Sequence, residues 1–172
     1  MTIQPYDKGP RLYTIVVMNP DVPDVEKDGF GYRCHFLASN VEISPTSTRV
    51  LLHLLDGEKQ VVLPWLPAYG QMGAPYQRMS IFILEQPRSE DGTSFQRLDT
   101  QGLKLRAEGF NLRSFVDRYG LKPVGVDLFR TKWDEGTAGV MQRAGIDGWD
   151  VEFKRKRVEP LPYKRMATVR YR

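Results

Sequence analysis

Residues 11–18 read RLYTIVVM, an apolar run that is rich in β-branched and aromatic side chains. A run of this length and composition, followed by turn-forming residues, is typical of a central strand buried in a sheet. Residues 30–38, FGYRCHFLA, predict a second strand, whose alternation places Cys34 on one face and Arg33 and His35 on the other. Residues 19–31 hold two prolines and two glycines and therefore predict a loop between the two strands.

Further apolar runs predict strands at 48–55, 60–64, 78–86 and 123–133. The earlier of these are separated by Ser-Pro and Asp-Gly turns at short intervals, as in antiparallel sheets and sandwiches. Residues 64–76 hold three prolines and two glycines and predict a long loop.

Helix signals occur only late in the chain. Asn111 is a good N-cap, and Gly120 stands at the position that ends a short helix. Asp134 caps a second short helix that runs to Arg143. The sequence therefore predicts a mainly β domain with two short helices, at a length of 172 residues that suits one domain.

The positive charge is confined to the end of the chain. Residues 149–172 carry eight basic and three acidic side chains, a net charge of +5, whereas the whole chain carries +4. Residues 1–148 are therefore close to neutral, at −1. This asymmetry divides the chain into a body at 1–148 and a basic C-terminal extension at 149–172, and it favours a polyanionic partner for the extension.

Composition excludes several kinds of site. Cys34 is the single cysteine, which excludes an intramolecular disulfide and a multi-cysteine zinc site. His35 and His53 are the only histidines, so a histidine-rich metal site is excluded as well. We expect no metal and no cofactor. The apolar runs are far shorter than the roughly 18–20 residues of a membrane span, so we expect no membrane partner.

Three features have both a chemical and a structural interpretation. Asp21 and His35 suit acid–base work, or form a hydrogen-bonded polar pair beside a loop. Cys34 and His35 are neighbours on a strand and face opposite ways, so Cys34 is interpreted as a small buried hydrophobe. The glycine-rich segment at 69–78 lacks the Lys–Ser/Thr of a phosphate-binding loop. We find no nucleophile motif and predict that the protein is not an enzyme.

Three segments together resemble the phosphatidylethanolamine-binding-protein family. TIVVMNPDVPDVEKDGFGYRCHFLASN at 14–40 is similar to its D-P-D-x-P loop and the following His-bearing strand. LPAYGQMGAPYQRMSIFILEQ at 66–86 is similar to its G-x-x-K-G-x-x-x-H-R motif. FNLRSFVDRYGLKPVGVDLFRTKWDEG at 110–136 is similar to its F-x-x-x-W-D segment. The resemblance implies an antiparallel β-sandwich with short helices.

The family begins with early strands ahead of the segment that matches RLYTIVV, whereas ten residues precede that segment here. We therefore expect the 1–148 sandwich to be completed by a missing N-terminal segment or by a partner chain.

The resemblance also implies an anion pocket for phosphate headgroups. Its residues, carried over by motif, are Asn19, Asp21, Pro23, His35 and Gln77. The family usually has Asp where Asn19 stands, His where Gln77 stands, and Lys where Met72 stands. Gln77 cannot become cationic, so the pocket loses a donor that strengthens on protonation. We therefore interpret the pocket as degenerate.

NPDVPDVE, YRCHFLASN and the basic tail resemble one branch of the family, which belongs to the mitochondrial large ribosomal subunit. That branch implies a structural constituent of the central protuberance in the mitochondrial matrix. Its partners would be ribosomal RNA and other mitochondrial large-subunit proteins. The predicted RNA-binding residues are Lys154, Arg155, Lys156, Arg157, Tyr163, Lys164, Arg165, Arg170 and Arg172. The alternative function is a soluble regulator that binds phosphate or phospholipid headgroups.

Overall fold

The computed structural model describes residues 3, 9–24, 27, 29–46, 50, 55, 60–89, 92–100, 103 and 105–153. Its elements are β1 (Arg11–Asp24), β2 (Gly29–Ile43), β3 (Val61–Leu63), β4 (Gln77–Glu85), α1 (Leu112–Tyr119), β5 (Lys122–Thr131) and α2 (Glu135–Arg143). The described strands form one antiparallel sheet in the order β3-β2-β1-β4-β5. The prediction of a mainly β, antiparallel fold is confirmed. Most of the predicted strand at 48–55, His53 and the tail at 154–172 lie outside the described residues.

β1 is the centre of the sheet and is paired on both edges. It pairs with β2 along its length and with β4 from Tyr13 to Met18. Its side chains alternate between two apolar clusters, with Ile15 and Val17 in one and Val16 and Met18 in the other. The apolar run at 11–18 is therefore buried on both faces of the sheet, as its composition predicts.

The two helices begin and end where their capping residues predict. The Asn111 side chain accepts a hydrogen bond from the Ser114 backbone N–H at 2.9 Å, and Gly120 ends α1 with a φ of 59°. The Asp134 side chain accepts one from the Thr137 backbone N–H at 2.8 Å and starts α2. α1 packs Phe115 against the cluster that contains Val16. No helix in the described part of the chain is long and apolar enough to cross a membrane.

The prediction of a loop over residues 19–31 was wrong for most of that segment. β1 continues to Asp24 and β2 starts at Gly29, so a long hairpin replaces the loop. β4 stops pairing with β1 at Met18, which leaves this part of β1 with β2 as its one neighbour among the described strands. Proline lacks a backbone N–H but is tolerated at such a free edge, which accommodates Pro20 and Pro23.

β2 contains one extra residue at each of two bulges, and β1 contains one extra residue between Asn19 and Val22. Val17 pairs with Phe36 and Met18 with Cys34, so His35 is the extra residue of a bulge. A second register shift lies beside Asn40, which has a left-handed φ of 57°. The buried Asn40 side chain accepts a hydrogen bond from the Leu98 N–H at 2.8 Å and donates one to the Leu98 carbonyl at 3.0 Å. The Asn40 side chain therefore makes the two hydrogen bonds that a neighbouring strand would make to the Leu98 backbone.

β5 forms one end of the sheet and exposes apolar side chains. Val124, Val126 and Leu128 are 46%, 70% and 53% exposed. Val126 and Leu128 share one face of the strand, Val124 lies at a register shift, and in the described part of the chain no second sheet covers these side chains. That a partner chain or a further segment completes the predicted sandwich stays a prediction.

We expect Asn40→Gly to lower the free energy of unfolding by about 1–3 kcal/mol, because it leaves the buried Leu98 backbone groups unpaired. Asn40→Ala should cost roughly 1–2 kcal/mol more, because alanine resists the left-handed conformation that glycine adopts freely. Urea unfolding of both variants measures the difference. Asn111→Ala is the matched control for loss of an asparagine cap, at about 1 kcal/mol. Equal losses for the glycine and alanine variants would contradict this account of Asn40.

Candidate functional site

Two of the predicted pocket residues, Asn19 and Gln77, satisfy each other. Asn19 lies in β1 and Gln77 begins β4, and each is about 1% exposed. The Asn19 Nδ2 donates to the Gln77 Oε1 at 3.2 Å, and the Gln77 Nε2 donates to the Asp21 carbonyl at 3.2 Å. The Asp21 N–H donates to the Asn19 Oδ1 at 2.9 Å. The two amides thus join β1 to β4, and their polar groups are occupied by protein partners.

The Asp21 carboxylate turns away from this buried network and binds Arg78. Its Oδ2 accepts from the Arg78 backbone N–H and Nε, each at 2.8 Å, and its Oδ1 accepts from the Arg78 Nη2 at 2.6 Å. The side-chain hydrogen bond from Arg78 lowers the pKa of Asp21, and burial opposes it. The same contact raises the pKa of Arg78. Asp21 is therefore an ionised partner of Arg78 at neutral pH.

His35 is held by the loop that follows β3. Its Nδ1 lies 3.2 Å from the Leu66 carbonyl and 3.1 Å from the Pro67 carbonyl. Both neighbours are acceptors, so Nδ1 carries the proton and Nε2 presents a buried lone pair that has no hydrogen-bond partner among the described residues. Burial lowers the pKa of His35, and the charge on Arg33 adds to that effect while the two carbonyls oppose it. The imidazole is neutral at pH 7.

The acid–base interpretation of Asp21 and His35 is not supported by this arrangement. The two side chains have different partners, and no hydrogen bond joins them among the contacts of the described residues. Pro23 is also separate from the amide network and pairs with Phe30 in the β1–β2 hairpin. The structure therefore brings together Asn19, Asp21 and Gln77, and it places His35 and Pro23 in other contacts.

Cys34 packs where the sequence predicts. It is 2% exposed within the cluster that contains Met18 and Leu37. Its thiol donates to the Phe36 carbonyl at 3.3 Å, and burial raises the pKa of that thiol to about 12. A thiolate nucleophile is thus disfavoured at this position.

Arg33 belongs to a cluster that sequence reasoning missed. Its guanidinium donates to the Tyr69 hydroxyl and forms a salt bridge with Glu108. The Tyr69 ring also lies against His35, with centroids 5.7 Å apart. Arg33 and His35 thus both contact Tyr69.

The glycine-rich loop at 69–78 receives the end of the described chain. The Phe153 N–H donates to the Met72 carbonyl at 2.8 Å, and a Cβ at Gly73 would collide with the Phe153 carbonyl. Gly73 has a φ of 78°, which favours glycine on conformational grounds as well. The loop therefore anchors the residue from which the tail continues. Among the described residues, no three His, Cys, Asp or Glu side chains gather to hold a metal ion.

The chain is similar to the large ribosomal subunit protein mL38 of Schizosaccharomyces pombe, with 25% identity over 162 residues. The match covers 94% of this chain and 48% of mL38, so the chain spans about half the length of that relative. This similarity confirms the resemblance to the ribosomal branch. Among solved structures, it is similar to a carboxypeptidase Y inhibitor in complex with its cognate proteinase, with a TM-score of 0.47 and 14% identity over 74% of this chain and 62% of that one. No protein family model matches the chain.

The lowered pKa of His35 predicts a pH-dependent stability. Below about pH 6.5 the unfolded histidine binds a proton that the folded one resists, so the unfolding free energy falls as the pH falls through that window. The slope for one such group is at most about 1.4 kcal/mol per pH unit. Glutamine keeps a donor for the two carbonyls and does not titrate, so His35→Gln should flatten the slope between about pH 7 and pH 5. Urea unfolding at both pH values measures it, and equal slopes in the two proteins would contradict the assignment.

We also expect no measurable binding of a phosphate headgroup. The Asn19 and Gln77 amides are neutral, buried and bonded to one another, so the pocket offers an anion neither access nor charge. Titration calorimetry with a soluble phospholipid headgroup tests this. Micromolar affinity that is lost in His35→Ala would overturn the structural interpretation of these residues.

Proposed function

We propose that this chain is a structural, non-catalytic component of the mitochondrial large ribosomal subunit. The observation that carries the proposal is the similarity to mL38 along 94% of the chain. The finer proposal is a place in the central protuberance of the ribosome in the mitochondrial matrix, where the body at 1–148 contacts neighbouring ribosomal proteins. The chain spans about half the length of mL38. The binding partners named here are therefore part of the proposal.

The basic extension at 149–172 is proposed to bind ribosomal RNA. Its net charge of +5 contrasts with the nearly neutral body, and five of its eight cations are arginines. The guanidinium group binds phosphate through two parallel hydrogen bonds, which favours arginine in RNA contacts. Phe153 is fixed on the 69–78 loop, so the extension leaves the body at a defined place. Phosphate contacts position a protein and carry little sequence information, so specificity would come from RNA shape and neighbouring proteins.

The geometry of the pocket supports this function over that of a headgroup-binding regulator. A regulator of that kind needs an open site with a donor that can become cationic. Here Asn19 and Gln77 are joined through their amides, and His35 is neutral and enclosed. These residues connect strands and loops inside the protein, which suits a protein that binds its partners through its surface and its tail.

Deleting residues 154–172 should weaken both RNA binding and association with the large subunit. If about six tail side chains reach phosphates, log K against log salt should have a slope near −4 on single-stranded RNA, at about 0.7 per phosphate, and the deletion should flatten it. Fluorescence anisotropy at several salt concentrations measures the slope, and co-sedimentation with purified mitochondrial large subunits measures association.

A control for this test removes four exposed cations from the body, against the eight removed with the tail, by Arg97→Gln, Arg113→Gln, Lys122→Gln and Arg143→Gln. It should leave the slope close to that of the parent chain, because none of these residues belongs to the tail. A truncated chain that joins the large subunit as well as the full chain at moderate salt would overturn the RNA-anchoring role of the tail.

A further inference from the structure

One end of the β4–β5 pair carries an exposed ladder of cations and a tyrosine. Arg78 on β4 lies directly opposite Arg130 on β5. Continuing that register by two residues brings Tyr76 beside Lys132, whose Nζ lies 5.5 Å from the centre of the tyrosine ring. Strand residues two apart share a face, so these four side chains form one surface, which we call the cationic ladder.

The cationic ladder has more positive charge than its surroundings neutralise. Like charges directly opposite on neighbouring strands are destabilising, so an anion bound between Arg78 and Arg130 would stabilise the pair. Asp21 occupies the Nε and Nη2 atoms of Arg78, whose side chain is still 58% exposed. Arg130 is exposed and forms no salt bridge within the described part of the chain. Three cations against one carboxylate leave a net charge of +2 on a body that carries −1.

Exposed aromatic rings flank these charges. Tyr76 is 59% exposed, and Phe30 from the β1–β2 hairpin is 52% exposed. Together with Asp21, Pro75 and the two arginines, they line a cavity of about 290 Å³. Single-stranded nucleic acids are bound by this combination, in which cations contact the phosphates and rings stack on the bases.

The cationic ladder also lies close to the start of the basic tail. Phe153, the residue before Lys154, donates its N–H to the Met72 carbonyl, and Met72 precedes Tyr76 by four residues in the same loop. Phe153 therefore lies against the loop that leads into the ladder.

We infer that the cationic ladder binds a single-stranded segment of RNA, with a phosphate between Arg78 and Arg130 and a base stacked on Tyr76 or Phe30. This inference rests on the proposed function, because it takes RNA as the partner of the protein. It adds a second RNA-binding element, on the body of the protein, to the one proposed for the tail.

The test compares two double variants of the full chain that remove equal charge. Arg130→Gln with Lys132→Gln removes two cations from the ladder, and Arg113→Gln with Lys122→Gln removes two exposed cations elsewhere. Arg78 is left in place because it also holds Asp21. Binding to a fluorescein-labelled single-stranded RNA of about 20 nucleotides, longer than one typical binding site, is followed by anisotropy across a salt series. The ladder variant should reduce the salt slope by about 0.7, for the one phosphate placed between Arg78 and Arg130, and the control should leave it unchanged.

A second pair of variants tests stacking. Tyr76→Ala should weaken RNA binding by roughly 5- to 150-fold, the equivalent of about 1–3 kcal/mol for one stacked base. Tyr76→Phe keeps the ring and should retain the affinity of the parent chain. Because Tyr76 is exposed, neither change should shift the thermal unfolding midpoint, which separates loss of binding from loss of fold.

Each outcome bears on the inference. If the ladder variant binds RNA like its control while tail deletion abolishes binding, the inference is overturned and the proposed function stands. If the ladder variant loses association with the large subunit but keeps its RNA affinity, the partner of this surface is a protein, and the RNA assignment is overturned. If the parent chain fails to bind RNA in any salt condition, both the inference and the proposed RNA contact of the tail fall.

Discussion

The burial of β1 on both faces is the constraint on which the rest of the structure depends. A strand paired on both edges and covered on both faces must be apolar at consecutive positions, as residues 15–18 are. Its neighbour β2 must then supply apolar side chains to both clusters, and it does so through the bulges at His35 and beside Asn40. Each bulge places a polar side chain in the interior, and each side chain is bonded to a distant segment: the Leu66 and Pro67 carbonyls accept from the His35 Nδ1, and Leu98 pairs with Asn40. The irregular segments that contain residues 66–67 and Leu98 are thus held in place by hydrogen bonds to β2.

The same constraint bears on two residues that the resemblance assigns to an anion pocket, Asn19 and Gln77. Asn19 follows the doubly buried part of β1, and Gln77 begins the strand beside it. Two buried amides match donor to acceptor and do not titrate, whereas a carboxylate–imidazole pair there would change its charge with pH. The hydrogen bond from Asn19 to Gln77, which connects β1 to β4, is therefore independent of pH. His35 is the titratable group that remains close to this core, and burial keeps it neutral.

The sequence predicts the parts of the fold that depend on local chemistry. The apolar runs locate β1, β2, β4 and β5, and the caps at Asn111 and Asp134 locate both helices. It fails at residues 19–31, because the two prolines indicate a loop unless β4 is known to stop pairing with β1 at Met18. It also fails to identify the partner of Asp21, because Arg78 lies 57 residues away and meets it only through the sheet. The alternation rule predicts the common side of Arg33 and His35 but cannot reveal Tyr69, which comes from an irregular loop.

The Asp21–Arg78 contact connects the buried network of Asn19 and Gln77 to the outer surface. Asp21 belongs to the segment that resembles an anion pocket, yet its carboxylate binds a cation, and its backbone closes the amide network behind it. Asp21 therefore stabilises the buried network through its backbone and fixes the direction of the Arg78 guanidinium through its carboxylate. A guanidinium held by two of its nitrogens loses little further freedom when it binds a phosphate, which lowers the entropic cost of that contact. Because Arg78 and Arg130 are carried by paired strands, their spacing is set by the sheet. The polar residues that the resemblance assigns to an internal anion site thus support a cationic surface that faces outward, where a structural RNA partner would lie.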